Sequence, residues 1–120
     1  MRWGLLGLAA LLSACADKSE PPRSVMGADA ARGLSVIDRV GCAACHVTPG
    51  VPWPKGLAGP SLQGFADSPM IAGQFPNRPD VLIAFLKDAP SMAPATAMPA
   101  MPITDAEARD VAAYLYTLHD

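Results

Sequence analysis

Cys42, Cys45 and His46 are the residues of this chain whose types and spacing most directly suggest chemistry. Residues 39–50 read RVGCAACHVTPG, so two residues separate the thiols and the imidazole follows the second thiol directly. A thiol pair can form a disulfide, bind a metal or be alkylated, and an imidazole is a common metal ligand. The 120 residues contain only three Cys and two His, which makes this grouping informative.

Four interpretations of the thiol pair compete. A redox-active C-x-x-C normally follows a strand in a βαβ unit, whereas the pattern before Cys42 is helical. A zinc site needs four ligands, and the remaining histidine, His119, stands at a spacing that fits no common zinc pattern. A disulfide across two residues closes a very small loop and stabilises little. The fourth interpretation, C-x-x-C-H as a c-type haem attachment motif, uses both thiols as thioethers and His46 as an iron ligand, and we favour it.

The N-terminus is typical of an exported protein. Residues 1–14 have a basic start at Arg2, a short apolar run and small residues at the end, which is the layout of a signal peptide. The sequence LSAC resembles the bacterial lipoprotein box, which predicts that Cys15 is lipidated and anchors the protein to a membrane. Residues 15–27 are then a flexible tether, and residues 28–120 form the folded domain.

Composition limits the possible classes of protein. A chain of 120 residues is at most one domain, and its net charge of −2 gives no basic surface for nucleic acid. The 13 Pro and 10 Gly predict many turns and short helices, and aromatic residues are only 6% of the chain. So small a chain with few bulky side chains needs a cofactor or a covalent staple to complete its core.

Two further helices are marked by their sequence signals. Thr104 and Glu107 form a capping box, and the apolar spacing up to Leu118 predicts a C-terminal helix over about residues 105–118. A middle helix is predicted in NRPDVLIAFLKDA, with Pro79 near its start and Pro90 ending it.

The chain resembles a small monohaem class I cytochrome c over roughly residues 28–118. The resemblance rests on DAARGLSVIDRVGCAACH, on the GPSL turn at residues 59–62, and on the Met-Pro loop before the last helix. It implies an all-α cytochrome c fold, in which three to four short helices and long Pro/Gly-rich loops surround one covalently bound haem (heme c). SPMIAGQFPNRPDVLIAFL and DVAAYLYTL are more weakly similar to a bacterial subgroup associated with respiratory terminal oxidases.

The resemblance also implies the two axial ligands of the haem iron. His46 is one, and the second is a methionine. Met98 stands in the family register, since it precedes a Pro and lies at the expected distance before the last helix. Met101 also precedes a Pro but lies closer to that helix, and Met92 is a further alternative. Met70 and Met92 also suit the packing of irregular apolar gaps.

Further contacts follow from the same resemblance. The carbonyl of Pro60 is expected to accept a hydrogen bond from the other ring nitrogen of His46 and so orient this ligand. The N-terminal helix is expected to cross the C-terminal helix, with Gly33 and Ile37 facing Tyr114 and Leu115.

Four other side chains have more modest interpretations. Trp53 either contacts a haem propionate or anchors its loop in the apolar shell, and Thr96 is placed to donate to a propionate. His119 is interpreted as a solvated chain end, and Phe65 as part of the core around the haem.

The function implied by the resemblance is one-electron transfer, with no substrate transformed and hence no enzyme activity. The protein would lie on the periplasmic face of a bacterial membrane, anchored through Cys15. Its redox partners would be a respiratory oxidase or the donor of that oxidase, or alternatively a periplasmic dehydrogenase of which it is the electron-accepting subunit. A haem-based ligand binder with an open sixth position is a third, less favoured function.

Overall fold

Four α-helices, two single-turn 3-10 helices (Cys42–Ala44 and Phe65–Asp67) and one short hairpin form the regular structure of residues 21–120, the part of the chain that the computed structural model describes. The elements are α1 Ala30–Val40, β1 Met70–Ile71, β2 Phe75–Pro76, α2 Pro79–Lys87, α3 Ala89–Met92 and α4 Asp105–Leu115. Within this part, no helix combines the length and apolarity needed to cross a membrane. The predicted all-α fold is confirmed, and the two-residue strands were not foreseen. The predicted signal peptide and Cys15 lie outside the described residues.

The packing of α1 against α4 is the main helix–helix contact of the fold. It depends on Gly33, because a Cβ built at this position would clash with the carbonyl oxygen of Asp110. Without a side chain at Gly33, the two backbones can touch. The contact at Gly33 lies one helical turn earlier in α4 than predicted, at Asp110 and Val111 rather than near Tyr114.

Asp110 also fixes the start of α1. One of its carboxylate oxygens accepts from the backbone N–H of Asp29 at 2.7 Å, and the other accepts from Nε of Arg32 at 2.9 Å. Asp29 is itself the N-cap of α1, and its side chain accepts from the N–H of Arg32. These bonds join the first turn of α1 to the middle of α4. They lower the pKa of Asp110, mainly through the Arg32 hydrogen bond and then through the Asp29 N–H.

The start of α4 is as predicted, but its end is not. Both bonds of the capping box are present, since the N–H of Thr104 donates to Glu107 at 2.9 Å and the N–H of Glu107 donates to Thr104 Oγ1 at 3.2 Å. The helix ends at Leu115, and the chain continues in tighter turns to the buried Leu118. The prediction of residue 118 was wrong because apolar spacing reports which side chains are buried, not which backbone groups hold α-helical bonds.

The middle region contains two helices where one was predicted. Pro79 occupies the first turn of α2 as expected, and the helix ends at Lys87. Asp88 then leaves the helical conformation, and its carboxylate caps α3 by accepting from the N–H of Ser91. Pro90 therefore lies in the first turn of α3, where a missing N–H costs nothing, and it does not terminate α2.

A buried polar group ties the hairpin region to the chain after α4. Asn77 is 2% exposed, and its amide nitrogen donates to the carbonyls of Phe65 and Ser68 at 3.2 and 2.9 Å. Its amide oxygen accepts from the hydroxyl of Tyr116 at 3.0 Å. Burial raises the pKa of Tyr116 to about 12, so this hydroxyl keeps its proton. The bonds hold the region around residues 65–77 in place.

The residues just before α1 also contact the domain. Residues 21–27 form no helix or strand, yet Arg23 donates to the carbonyl of Ala66 at 2.7 Å. Val25 packs against the hydrophobic core. This part of the predicted tether therefore lies against the folded domain.

Candidate haem site

The end of α1 positions the two cysteines and the histidine. Gly41 terminates the helix in the left-handed conformation, with φ of 82°, and its N–H donates to the carbonyl of Ile37. This is the usual role of glycine at a helix C-terminus. A 3-10 turn, Cys42–Ala44, follows directly, and the N–H groups of Cys45 and His46 both donate to the carbonyl of Cys42. The C-x-x-C-H motif therefore forms a tight turn immediately after α1.

The two thiols are free in the structure. Cys42 is half-buried and Cys45 is exposed. Burial raises the pKa of the Cys42 thiol, whereas redox-active cysteines are activated by a lowered pKa.

His46 is held by one defined hydrogen bond. Its Nδ1 lies 2.6 Å from the carbonyl oxygen of Pro60, which is the contact predicted from the sequence. A carbonyl only accepts, so Nδ1 carries the proton and Nε2 of the neutral ring retains its lone pair. Such a bond is the usual means by which a protein orients a histidine ligand.

The glycine before Pro60 is part of the same arrangement. A Cβ built at Gly59 would stand 2.5 Å from Cε1 and 2.7 Å from Nδ1 of His46. Only glycine therefore leaves room for the imidazole beside this turn. The sequence predicts Gly59 as a turn residue, but it does not predict the contact between Gly59 and the ring of His46. These two residues are 13 positions apart and lie on different loops.

Residues 56–59 are attached to the cysteine turn through the backbone. The N–H of Gly56 donates to the carbonyl of Ala43 at 2.9 Å, and the N–H of Gly59 donates to the carbonyl of Cys45 at 2.7 Å. The loop that supplies the Pro60 carbonyl is thus hydrogen-bonded to the motif that supplies His46.

The methionine candidates differ in their surroundings. Met98 and Met92 are half-buried and pack against the hydrophobic core, and Met70 is 39% exposed. Met101 is half-buried but is not among the described side chains that pack on this core. The backbone N–H of Met98 donates to the hydroxyl of Thr96 at 3.2 Å, which shapes the loop locally.

Three side chains considered in the sequence have clear positions. Trp53 is 80% exposed, which does not support a loop anchor in the apolar shell, and its contact with a haem propionate stays a prediction. His119 is exposed, as expected, and its Nδ1 lies 2.7 Å from a carboxylate oxygen of Asp67. Phe65 packs against the core and contacts the ring of Tyr116, with centroids 6.2 Å apart.

The chemistry of this donor set fits a covalently attached haem. Two free thiols stand in a tight turn, and the imidazole directly after them is protonated at the nitrogen that contacts Pro60. A thioether sulfur is available on a half-buried loop next to the core. Thiols supply covalent attachment, and imidazole with thioether is the ligand pair of cytochromes c.

This fold and this set of side chains define a small helical c-type cytochrome, and comparison with known proteins agrees. The sequence model of the family described as Cytochrome c matches residues 30–119. The chain therefore belongs to the cytochrome c family, whose members bind haem covalently and carry electrons between redox proteins. A solved structure of cytochrome c2 from Rhodospirillum centenum is similar, with 25% sequence identity, a TM-score of 0.49 and coverage of 77% of this chain and 99% of that chain. A search of curated proteins found no match.

Proposed function

We propose that this cytochrome is an exported, membrane-tethered one-electron carrier with a His/Met-ligated haem. Cys42 and Cys45 would attach the haem as thioethers, and His46 and Met98 would bind its iron. Lipidated Cys15 holds the protein at the periplasmic face of a bacterial membrane.

The hydrogen bond between His46 and Pro60 is the observation that carries this proposal. It fixes the ring tautomer, so that Nε2 is the nitrogen left for the iron. It also limits rotation of the ring, because the 56–59 loop that precedes Pro60 is bonded to the cysteine turn. A preoriented ligand needs little rearrangement when the oxidation state of the iron changes, which favours rapid electron transfer.

Burial and position favour Met98 as the second ligand. Its side chain already packs against the core that a haem would extend, whereas Met101 is not among the described residues on this core. The Thr96 hydroxyl accepts from the N–H of Met98, and the flanking Pro residues restrict the loop further. The sulfur can therefore be held in place at a small cost in conformational entropy.

When bound, the haem supplies an Fe(III)/Fe(II) couple, and His/Met ligation raises its reduction potential relative to histidine alone. The hydrogen bonds of His46 to Pro60 and of Met98 to Thr96 hold the ligand-bearing segments in place. We propose that the electron is exchanged with a respiratory chain, either with a terminal oxidase or with the donor of that oxidase. What supports this is the weaker sequence resemblance of residues 68–86 to oxidase-associated cytochromes. These residues form the hairpin and most of α2.

The ligation is tested by spectroscopy of the protein matured with haem. We expect a haem that stays with the polypeptide after denaturation, a low-spin spectrum and a weak long-wavelength band from sulfur ligation. Met98→Ala should abolish that band and allow the reduced protein to bind carbon monoxide, whereas Met101→Ala should retain wild-type ligation. The reverse pattern would transfer the ligand role to Met101, and carbon monoxide binding by the wild type would favour an open-site ligand binder.

Anchoring and partner are tested separately. Mass spectrometry of the mature protein should find a lipidated Cys15 at its N-terminus, and Cys15→Ala should release the protein from membranes. Membranes that contain terminal oxidase should oxidise the reduced cytochrome with oxygen consumption. Reduction by a periplasmic dehydrogenase without any such oxidation would instead favour the dehydrogenase-subunit alternative.

A further inference from the structure

The segments that carry the candidate haem ligands are almost free of charge. Residues 40–66, which include the cysteine motif, contain Lys55 as their only Asp, Glu, Lys or Arg. Residues 89–104, which include Met98, contain none. The ion pairs of the described residues lie elsewhere, on α1, α2, α4 and near the end of the chain. These two segments therefore contribute little charge with which to attract or orient a partner, although Asp38 of α1 lines the same cavity as Trp53.

Two large apolar side chains are exposed on a loop within the first of these segments. Trp53 is 80% exposed and Leu57 is 86% exposed. A single exposed apolar residue is common and needs no explanation. Here a tryptophan and a leucine lie four positions apart on one loop, with a single charge between them. Aromatic side chains such as tryptophan are enriched at the centres of protein–protein interfaces, and an exposed leucine beside one adds apolar area that a partner can bury.

This loop, residues 53–57, is held by the turn that carries the thiols. Gly56, next to Leu57, donates its N–H to the carbonyl of Ala43. A Cβ at Gly56 would clash with the backbone of Ala44, so loop and turn are in direct backbone contact. A loop held in this way loses little conformational entropy when it binds a partner.

We propose that residues 53–57 are the docking surface of the cytochrome, and that its partner is a redox protein with an apolar, uncharged surface beside its own redox centre. This inference rests on the proposed attachment of the haem at Cys42 and Cys45. A charged partner surface would lose hydration here and could gain only the single counter-charge of Lys55, which is unfavourable. An apolar partner surface would instead be removed from water together with Trp53 and Leu57, which is favourable.

Docking through residues 53–57 should depend much less on salt than docking between charged surfaces. Association that depends on charge weakens steeply as ionic strength rises, because the Debye length falls from about 30 Å at 0.01 M to about 3 Å at 1 M. Docking through residues 53–57 should be nearly insensitive over this range. We expect the docked electron-transfer rate to change by less than about twofold.

A gold electrode coated with a methyl-terminated alkanethiol monolayer serves as the apolar probe, and a carboxylate-terminated monolayer serves as the charged one. The wild type is compared with the double variant Trp53→Ser/Leu57→Ser. The control is Met26→Ser, because Met26 is 88% exposed but lies before α1, outside the loop. All three proteins share residues 1–25, including Cys15, so adsorption through a lipid on Cys15 is common to them. Met26→Ser then tests whether losing any exposed apolar side chain outside the loop changes the rate constant.

Haem content and a mediated redox titration are measured first for each protein. If the wild type held no haem or showed no redox titration, the proposed function would be wrong, and the docking surface would not have been tested by that result. With these intact, the double variant should lose at least about tenfold in electron-transfer rate on the methyl monolayer, and Met26→Ser should retain the wild-type rate.

Three results would overturn the proposal. One is a double variant that transfers electrons at the wild-type rate, and another is faster transfer by the wild type on the carboxylate monolayer. In the third, the electron-transfer rate is unchanged but the double substitution abolishes another association. This would be either a stable dimer seen by sedimentation velocity or binding to phosphatidylcholine vesicles. That result would assign the loop to a second copy of the chain or to a lipid bilayer.

Discussion

The backbone of Gly33 in α1 lies directly against the carbonyl of Asp110 in α4, with no room for a Cβ between them. The two residues are 77 positions apart in the chain. Their contact sets the distance between α1, near the start of the domain, and α4, near its end. The cysteine turn follows α1 directly, so this helix crossing also places the candidate haem ligands relative to the rest of the core.

Gly33→Ala should destabilise the fold strongly. Alanine normally stabilises a helix by about 1 kcal/mol relative to glycine, but here the added methyl group must push α1 and α4 apart. We expect a net loss of about 2–3 kcal/mol in the free energy of unfolding, measured with guanidinium chloride. Ser35→Ala, on an exposed position of the same helix, should change it by less than about 0.5 kcal/mol. Equal stabilities of Gly33→Ala and wild type would show that the helices can separate freely.

Asp110→Asn should reveal a pH-dependent contribution to stability. The carboxylate accepts from Arg32 and from the N–H of Asp29, which lowers its pKa in the folded protein. A lowered pKa stabilises the fold above the ordinary carboxyl pKa of about 4, and this contribution is lost as the pH falls through the folded value. We expect the variant to be less stable by about 2 kcal/mol at pH 7, and the difference to shrink below about pH 4.

The matched control for this effect is Asp38→Asn, which changes an exposed acid on α1. Its unfolding free energy should follow that of the wild type within about 0.5 kcal/mol at every pH. A constant difference between wild type and Asp110→Asn from pH 7 to pH 3 would contradict the assigned role of the carboxylate.

Gly59→Ala should disturb the histidine ligand without altering any ligand atom. The new methyl group would press on Cε1 and Nδ1 of His46 and weaken its bond to Pro60. We expect a lower yield of haem-containing protein and a shifted midpoint potential in the fraction recovered, both followed optically. Ala58→Ser, at the exposed neighbouring position, should match the wild type in both. If Gly59→Ala had wild-type yield and potential, the close approach to His46 would be irrelevant to haem binding.

Tyr116→Phe should leave the buried amide oxygen of Asn77 without its donor. An unsatisfied buried acceptor costs about 1–3 kcal/mol, which thermal or chemical unfolding should detect. Tyr114→Phe is the comparison, because the Tyr114 hydroxyl donates to the carbonyl of Pro49 at a half-buried site that water can reach more easily. We expect the loss for Tyr114 to be below about 1 kcal/mol. A larger loss at Tyr114 than at Tyr116 would contradict the importance of the buried amide.

The chemistry of the site could be predicted from sequence because its parts are local. Cys42, Cys45 and His46 are nearly adjacent, so their spacing alone indicates what they can bind. The capping box of α4 was predicted for the same reason, since Thr104 and Glu107 satisfy each other within one helical turn. The bond between His46 and Pro60 was expected only through resemblance to a family.

The tertiary structure decided whatever depends on residues distant in sequence. Three contacts join separate segments of the chain. Gly33 of α1 contacts α4 at Asp110, Gly59 lies against the ring of His46, and Met98 packs on the core. The break between α2 and α3 depends on the conformation of Asp88, and the exposure of Trp53 depends on where its loop is held. Hydrogen bonds between near neighbours are specified by short motifs, whereas close approach and burial are set by the packing of the whole chain.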